Sequence, residues 1–476
     1  MTSHPDPVHA LAKRVAVVRV DAKHTVADSI AHLVAHRNDL ANFESVVDLA
    51  LATDDNGPLK GVVHHLGRAL SALSYELWAE QIFLGASVLD DVLLHAIQDS
   101  SNADPLEAAI RLIHEAGIHH PGFVVYPLHS LAIYGAGLLR GVDLHFFVKS
   151  AALLLSPQTN SDKGAVRFLN SAAHRIGVRH RVDPHLVEHW IRSRPIEWLW
   201  KNPLIALRVH SFPGGYYENQ RLLLSKLEFA ASAVHCLATR KDPRVSDVSR
   251  HFSSLNANNW ETLDIYHYLV FYPKPRTAIL GGDCVPFTAQ RNRLLELSDF
   301  SVDINPKQWR RTSKDLQRVL DAIRIIESGY FQHAIRLHRT DAQARVYRKI
   351  SSSLRYFRRS FRRNAPDGEG CVALAVAFEA LLTDQATGKI RDRIERRIHL
   401  LMRRVRGVTV AILTFQRLYD ARCRVVHEGQ SSDLDLREPQ ALYVELLVRF
   451  VERLKQWQPK TTCNEPMRDI MGDPVP

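Results

Sequence analysis

The chain contains 476 residues, of which 46% are apolar and 24% are charged. This balance is typical of a folded globular protein and excludes a disordered chain of low hydrophobicity and high charge. Lysine and arginine exceed aspartate and glutamate by 11, and the sequence pI of about 9.5 favours a polyanionic partner, either nucleic acid or acidic lipid.

The spacing of the cysteines and the composition of the N-terminal segment indicate the cellular compartment of the protein. The five cysteines lie far apart without a CxxC pair, which argues against a zinc ribbon or a disulfide framework and predicts reduced thiols in a cytoplasmic protein. The segment MTSHPDPVHALAKR has no continuous apolar run, so no signal peptide is predicted. The longest uncharged apolar run, 371–378, is too short to span a bilayer, and no membrane span is predicted.

Residues 1–305 are predicted to form a mostly helical region. Residues 262–287 are an exception, because β-branched and aromatic runs flank a Pro-Lys-Pro break, and we predict a short β-hairpin there. After residue 305 the chain becomes helical and much more basic, which places a domain boundary near that position. The predicted helical stretches, where apolar residues recur at three- and four-residue spacing, are 26–52, 60–98, 105–117, 128–155, 186–200 and 216–239.

Residues 306–460 are predicted to fold as a bundle of five amphipathic helices, followed by a tail over 461–476. The predicted fold class is therefore mainly α. The predicted core positions are Val346, Ile350, Leu354, Phe357 and Phe361 in the first helix, Leu374, Phe378 and Leu381 in the second, Ile394, Ile398, Leu401 and Val405 in the third, and Leu447, Val451 and Leu454 in the fifth.

The first helix of the bundle, at about 341–363, is strongly basic opposite its apolar face. Its aromatic residues are better explained as core than as platforms for bases. Its arginines allow two interpretations: contact with an RNA backbone, which predicts steep salt dependence, or a solvated cationic face over a buried stripe. A helix on a membrane surface would look similar, but the adjoining bundle disfavours it. The arginines predicted to bind RNA are Arg355, Arg358, Arg359, Arg362 and Arg363.

The fourth helix, 408–427, carries an arginine on its apolar face and ends at a histidine. Burying an unpaired guanidinium costs several kcal/mol, so Arg422 must be paired, exposed in a cleft or placed at a subunit interface. His427 follows about 140° further round an ideal α-helix, and Gly429 lets the chain leave the helix. The simplest alternative is a salt bridge from Arg422 to a neighbouring helix and carbonyl capping by His427. The apolar face comprises Ile412, Phe415, Tyr419, Arg422 and Val426.

Three blocks between residues 340 and 457, about a quarter of the chain, resemble the HEPN superfamily, a helical bundle whose last long helix carries Arg-x4-6-His. LYDARCRVVHEG (418–429) resembles the signature of the Apea-like branch of that superfamily. VALAVAFEALLTD (372–384) resembles the family helix that ends in an apolar-Glu-x-Leu block. RDRIERRIHLLM (391–402) resembles the following helix with its central arginine, here Arg397. Cys423 departs from the pattern, in which serine is more usual.

The resemblance implies a metal-independent endoribonuclease that acts as a dimer with facing motifs and needs no cofactor. Histidine can accept or donate a proton near neutral pH, and arginine offers a fixed bidentate cation to phosphorane oxygens. His427 is accordingly the predicted general acid/base and Arg422 the predicted transition-state stabiliser. Arg397 is grouped with the RNA-binding arginines. Cleavage by the RNA's own 2′-hydroxyl would leave 2′,3′-cyclic phosphate ends.

The fold implied is a HEPN-like bundle attached to a larger, mostly helical region with a small β-hairpin. Resembling proteins serve antiphage defence, including abortive infection, or toxin-type growth arrest, so the N-terminal region is expected to sense a phage-derived or cellular trigger. RNA and a second copy of the chain are the expected partners, in the cytoplasm and without a membrane.

Two alternatives stay open. The first is a non-catalytic HEPN-type module that binds RNA or a partner protein, in which Arg422 and His427 hold a dimer together. The second is a metalloenzyme at His185-Leu-Val-Glu188-His189, an H-x-x-E-H pattern that places two histidines on one helix face. The sequence around this pattern does not resemble such metalloenzymes, and a convincing third ligand is missing.

Overall fold

The structure is a computed structural model, and it is mainly α, as predicted. Among the described helices, none combines the length and hydropathy that a membrane span requires. The residues that the structure describes are 6–21, 23–53, 57, 59–80, 82, 84, 86–115, 121–133, 142–144, 152–155, 162–194, 196, 198–209, 220–239, 267–274, 277–286, 297, 299–304, 313–335, 341–362, 368–385, 389–403, 407–432, 434–459 and 463–474.

The first part of the chain is a helical unit with an apolar core of its own, built from residues 8–113. Local signals set its helix starts: the Asp6 carboxylate accepts the Val8 N–H at 3.0 Å ahead of a proline, and Thr25 and Asp28 form a reciprocal capping box. Its helices are α1 Pro7–Ala16, α2 Val26–Ala35, α3 Arg37–Leu40, α4 Val46–Leu51, α5 Lys60–Ala79, α6 Ala86–Gln98 and α7 Pro105–Ile113.

Three histidines stack at the contact between α2 and α5. The ring of His32 lies between those of His36 and His65, with centroid distances of 4.4 and 4.2 Å. The Nδ1 atom of His65 is 3.2 Å from the Ser29 hydroxyl. Burial lowers the pKa of His32 and His65, and the neighbouring positive groups, including Arg68 beside His65, lower it further. These effects favour the neutral form of both rings.

Acidification from pH 7.5 to 5.5 is expected to lower the melting temperature of this unit. Because the folded pKa of His32 and His65 lies below the unfolded value of about 6.5, the unfolded chain binds protons first. Their contribution to stability is present above that value and is lost as the pH falls through the folded pKa. Circular dichroism melts should show a smaller loss in His65→Gln than in wild type. His185→Gln, at an exposed histidine, is the control, and an equal loss in all three proteins would contradict the prediction.

A mixed sheet follows, and it replaces the helix predicted for 128–155. That prediction was wrong because a short apolar run has the same local pattern in a helix and in a strand. The sheet order is β3-β4-β6-β1-β7-β8-β5, antiparallel except for β8 and β5, and β2 pairs with β9 in parallel. The strands are β1 Gly122–Pro127, β2 His129–Ile133, β3 Val142–Leu144, β4 Ala152–Leu155, β5 Arg181–Val182, β6 Leu204–Val209, β7 His267–Pro273, β8 Ile279–Pro286 and β9 Asp299–Ile304.

The predicted hairpin is confirmed as β7 and β8, and β7 also pairs with β1 inside the sheet. Helices intervene between the strands, and the last of them connects the sheet to the C-terminal bundle. All side chains described for this helix, those of 223–238, are buried, and the helix packs against β9 and against the bundle. These helices are α8 Asp162–Arg175, α9 Pro184–Ser193, α10 Trp198–Lys201 and α11 Gln220–Ala238.

The C-terminal bundle shares one apolar core with the sheet, so buried residues from 123 to 471 form a single cluster. The core is thus continuous across residue 305. The domain boundary expected near that residue from the sequence stays a prediction. The bundle helices are α12 Ser313–Gly329, α13 Ala342–Arg359, α14 Glu369–Leu382, α15 Ile390–Met402, α16 Val408–Cys423, α17 Arg437–Leu454 and α18 Pro466–Met471. Helix α12 ends in a π-helical turn, Tyr330–Ala334, and packs with α11 and α17.

The apolar stripes predicted for the bundle are confirmed. Every predicted core residue that is described is buried, apart from the half-buried Phe361, and Val405 lies outside the described residues. The structure differs from the predicted tail, because α18 packs on the bundle with Met467, Ile470 and Met471 buried. Short helices of this size form when tertiary burial stabilises them, and a local pattern of six residues is too short to reveal this.

Candidate functional site

The segment with the candidate pair begins as α16 and ends in a π-helical turn, Arg424–Glu428. Gly429 terminates the helix with a φ of 64°, as predicted, and its N–H donates to the carbonyl of Arg424. The start of α14 supports this turn from the side. Gly368 has a φ of 90°, and a Cβ there would lie 2.6 Å from the side chain of Val425, so glycine permits the close approach.

Arg422 is half-buried beside Tyr419, with its guanidinium carbon 5.6 Å from the ring centroid. Its Nε atom is buried and has no hydrogen-bond partner, and Arg422 forms no ion pair with any described carboxylate. The alternative of a salt bridge to a neighbouring helix is therefore absent from the described part of the chain. A buried donor without an acceptor is unfavourable by about 1–3 kcal/mol, so this guanidinium is suited to an acceptor that arrives from outside.

His427 is exposed and lies inside the π-turn. An ideal α-helix would place it about 140° from Arg422, but a π-turn holds more residues per turn than an α-helix. Arg422 and His427, which are five residues apart, therefore lie closer to the same side of the helical segment than an ideal α-helix would place them. The turn is an irregular feature of a type found frequently at functional sites.

Glu379 of α14 is the acidic group near this pair, and the sequence analysis did not single it out. Burial raises the pKa of Tyr419, and the negative charge of Glu379 raises it further, while Arg422 opposes the rise. The Oε1 atom of Glu379 is itself buried without a hydrogen-bond partner. Tyr419 thus has beside it a guanidinium whose Nε atom is unpaired and a carboxylate whose Oε1 atom is unpaired. The signal in the sequence was the glutamate in the block VAFEALL, which is otherwise apolar.

The arginines of α13 are mostly engaged inside the protein. Arg355 is 40% exposed and lies 3.4 Å from Glu228, a buried residue of α11. Arg358 is buried, Arg359 lies over the ring of Tyr356 at 5.5 Å, and Arg362 is half-buried. Arg363 lies outside the described residues. The basic side of α13 is thus packed against other elements, because α11 and α18 cover it, and it differs from the solvated face considered above.

Arg397 lies in the interior, with a side chain that is 2% exposed. Its Nε atom donates to Asp473 at 2.8 Å and another nitrogen donates to the carbonyl of Leu382. Asp384 is 3.5 Å away, and its carboxylate also accepts backbone N–H groups at the start of α18. A guanidinium in this position holds the C-terminal segment against the bundle and has no access to RNA.

The alternative metal site lies on α9. His185 and His189 are exposed there, and Glu188 is half-buried and lies 3.9 Å from Arg192. The described residues contain no group of three or more His, Cys, Asp or Glu that could hold a metal ion. The structure therefore supplies no third ligand for the H-x-x-E-H pattern within the described residues.

An apolar surface on α16 was missed by the sequence analysis. Val410 and Leu413 are 65% and 47% exposed, and Val426 in the π-turn is 49% exposed. The spacing of the first two, three residues apart on a helix that also has a buried face, was the available signal. Arg417 and Arg424 are exposed along the same helix and its π-turn. Val410, Leu413, Arg417 and Arg424 follow one another at three-, four- and seven-residue spacing, so they share one side of the helix, which combines apolar and cationic groups and which we call the α16 surface.

Comparison with known proteins gives no match: no family model, no curated protein and no solved structure is similar to this chain.

Proposed function

We propose that this protein is a metal-independent endoribonuclease of the HEPN type, in which two copies of the Arg422–His427 segment form one active site. The observation that carries the proposal is the state of Arg422, which is half-buried with an unsatisfied Nε and without an ion pair among the described residues. An exposed histidine follows it in the same helical segment. A cation without a partner and a titratable base are the two groups that this cleavage requires.

Each of the two residues has a distinct chemical task in the proposed reaction. His427 removes the proton from the 2′-hydroxyl or protonates the leaving 5′-oxygen, because an imidazole ring can act as either a base or an acid. Arg422 donates hydrogen bonds to the phosphate oxygens as negative charge develops on them. Since the motif supplies one histidine and one arginine, a second copy of the chain supplies the other acid/base group.

The α16 surface is the proposed contact between the two copies. Exposed valine and leucine side chains lose unfavourable contact with water when they pack against a second copy, and they lie on the helix that leads into the candidate pair. The predicted result of this packing is a closed dimer with the same surface on both subunits.

Leu413→Asp is expected to shift the protein from dimer to monomer, because the contact loses an apolar side chain and a charged carboxylate would lose its hydration there. Light scattering after size-exclusion chromatography measures the mass directly. Leu112→Asp is a matched control, since Leu112 is 46% exposed against 47% for Leu413 but lies on α7. A monomeric wild type, or a Leu413→Asp dimer of unchanged mass, would rule out this contact.

The test of the activity is incubation of the full chain with total RNA and with tRNA in EDTA. We expect cleavage that persists under chelation and products that end in 2′,3′-cyclic phosphate, detected by their resistance to 3′ ligation until the ends are opened. RNA that stays intact at micromolar protein for hours would reject the nuclease, and cleavage abolished by EDTA would favour a metal-dependent reaction.

A non-catalytic dimerisation module is the second candidate, and the packing of α13 favours it. The arginines expected to bind RNA are largely engaged in internal contacts, which leaves less cationic surface for a polyanion. In this case Arg422 and His427 hold the dimer together, and RNA is neither bound nor cut.

Antiphage defence or growth arrest in the cytoplasm, with a trigger sensed by the N-terminal region, is part of the nuclease proposal and rests on analogy with HEPN nucleases.

A further inference from the structure

A cavity of about 540 Å³ lies between the C-terminal ends of α15 and α17. The described residues that line it come from α15, α17 and the residues just beyond their ends, and neither Arg422 nor His427 is among them. The cavity is therefore separate from the proposed active site. Its volume is in the range of small-molecule sites and is larger than one phosphate ion requires.

The wall of this cavity is predominantly cationic. Three of its side chains are guanidiniums, Arg403, Arg449 and Arg453, and its one carboxylate, Glu452, is bound to Arg318 at 2.9 Å. Arg453 donates to backbone carbonyl oxygens at the ends of α15 and α18, which offsets the partial negative charge of those helix ends. Arg449 is paired with Glu445, so the positive charge that remains among the described lining residues is that of Arg403.

These two arginines have donors left for a ligand. Arg403 is exposed and forms no ion pair with the described residues. Arg449 donates to Glu445 at 2.7 Å through Nη2, but its Nε atom is buried and has no hydrogen-bond partner. The buried Nε atom of Arg449 gains a hydrogen bond when an anionic oxygen enters the cavity. Guanidiniums from two helices can donate hydrogen bonds to one tetrahedral anion.

We propose that this cavity binds the phosphate group of a small molecule, with Arg403 on α15 and Arg449 on α17 as its contacts. The volume left beyond the phosphate and the apolar side chain of Leu401 fit an organic part such as a nucleoside. Inorganic phosphate shares the recognition chemistry and differs only in lacking that organic part.

Isothermal titration calorimetry of the full chain with ATP, AMP and inorganic phosphate tests the proposal. We expect binding that weakens at least about tenfold in Arg403→Gln, which is the loss of about 1.4 kcal/mol of interaction. Arg449→Gln should weaken binding similarly. Arg192→Gln removes a 74% exposed arginine from α9, which contributes nothing to the cavity wall or to the α16 surface, and should bind as wild type does.

The outcomes are distinct. Tighter binding of ATP or AMP than of inorganic phosphate identifies a nucleotide, and equal binding identifies free phosphate as the source; both support the site. No binding at millimolar ligand, or binding unchanged in Arg403→Gln, overturns it. Arg449→Gln also removes the ion pair with Glu445. If the Arg449→Gln protein unfolds for that reason, Arg403→Gln is the variant that tests the site, because Arg403 is exposed. Loss of binding in His427→Ala would place the ligand at the other site and overturn the proposal.

Discussion

Replacing His427 with alanine is expected to slow RNA cleavage by about 10²–10⁴-fold, the contribution of a positioned general acid or base. The side chain is exposed and lies in the last turn before Gly429, so its removal should leave the fold and the melting temperature unchanged. Single-turnover cleavage of a labelled RNA by wild type and variant measures the effect. Equal rates for the two proteins would show that His427 has no part in the reaction.

Arg422 variants separate its charge from its geometry. Arg422→Lys keeps the positive charge but loses the planar fork, so cleavage is expected to fall by about 10²-fold if bidentate contact with the phosphate is required. His399→Ala is the matched control for the histidine, since it lies exposed on α15, and Arg192→Lys is the control for the arginine, since it is 74% exposed on α9. If the control variants lose as much cleavage activity as the test variants, the loss follows from the general change in surface charge and does not depend on Arg422 or His427.

Replacing Asp473 with alanine is expected to destabilise the fold by about 3 kcal/mol, because breaking a buried ion pair leaves Arg397 without its main partner. The two side chains are 0% and 2% exposed, and hydrogen bonds from Arg396 and Arg397 outweigh burial and hold the pKa of Asp473 below its usual value. Asp384 stays 3.5 Å from Arg397, which places the loss at the lower end of the range for such pairs. Urea unfolding followed by tryptophan fluorescence measures the change.

The control for this prediction is an exposed ion pair in the same bundle. Arg437 and Asp435 are 64% and 54% exposed, so Arg437→Gln should change the free energy of unfolding by less than about 1 kcal/mol. If Asp473→Ala is no more destabilising than Arg437→Gln, the C-terminal segment is not held by its buried carboxylate. The sequence predicted a tail there, and the interior position of Asp473 follows only from the packing of α18.

Local patterns predicted the C-terminal bundle well. Apolar residues at three- and four-residue spacing identified the buried faces of α13, α14, α15 and α17, because side chains so spaced share one side of a helix wherever it packs. The turn at Gly429 was predicted for the same reason, since a backbone with positive φ favours glycine irrespective of its neighbours. The strands within 129–155 could not be predicted, because periodicity alone does not distinguish a short apolar strand from a segment of helix.

By itself, the sequence determined the mainly α fold, the helix faces, the hairpin and the position of Arg422 and His427 in one helical segment. Only the tertiary structure decided which charged groups are available to a ligand. Arg397 and Arg422 both lie within helical patterns, yet one is locked to Asp473 from a distant part of the chain and the other has no ion-pair partner among the described residues. The accessibility of a charge depends on residues that folding brings near it, and no local spacing encodes those.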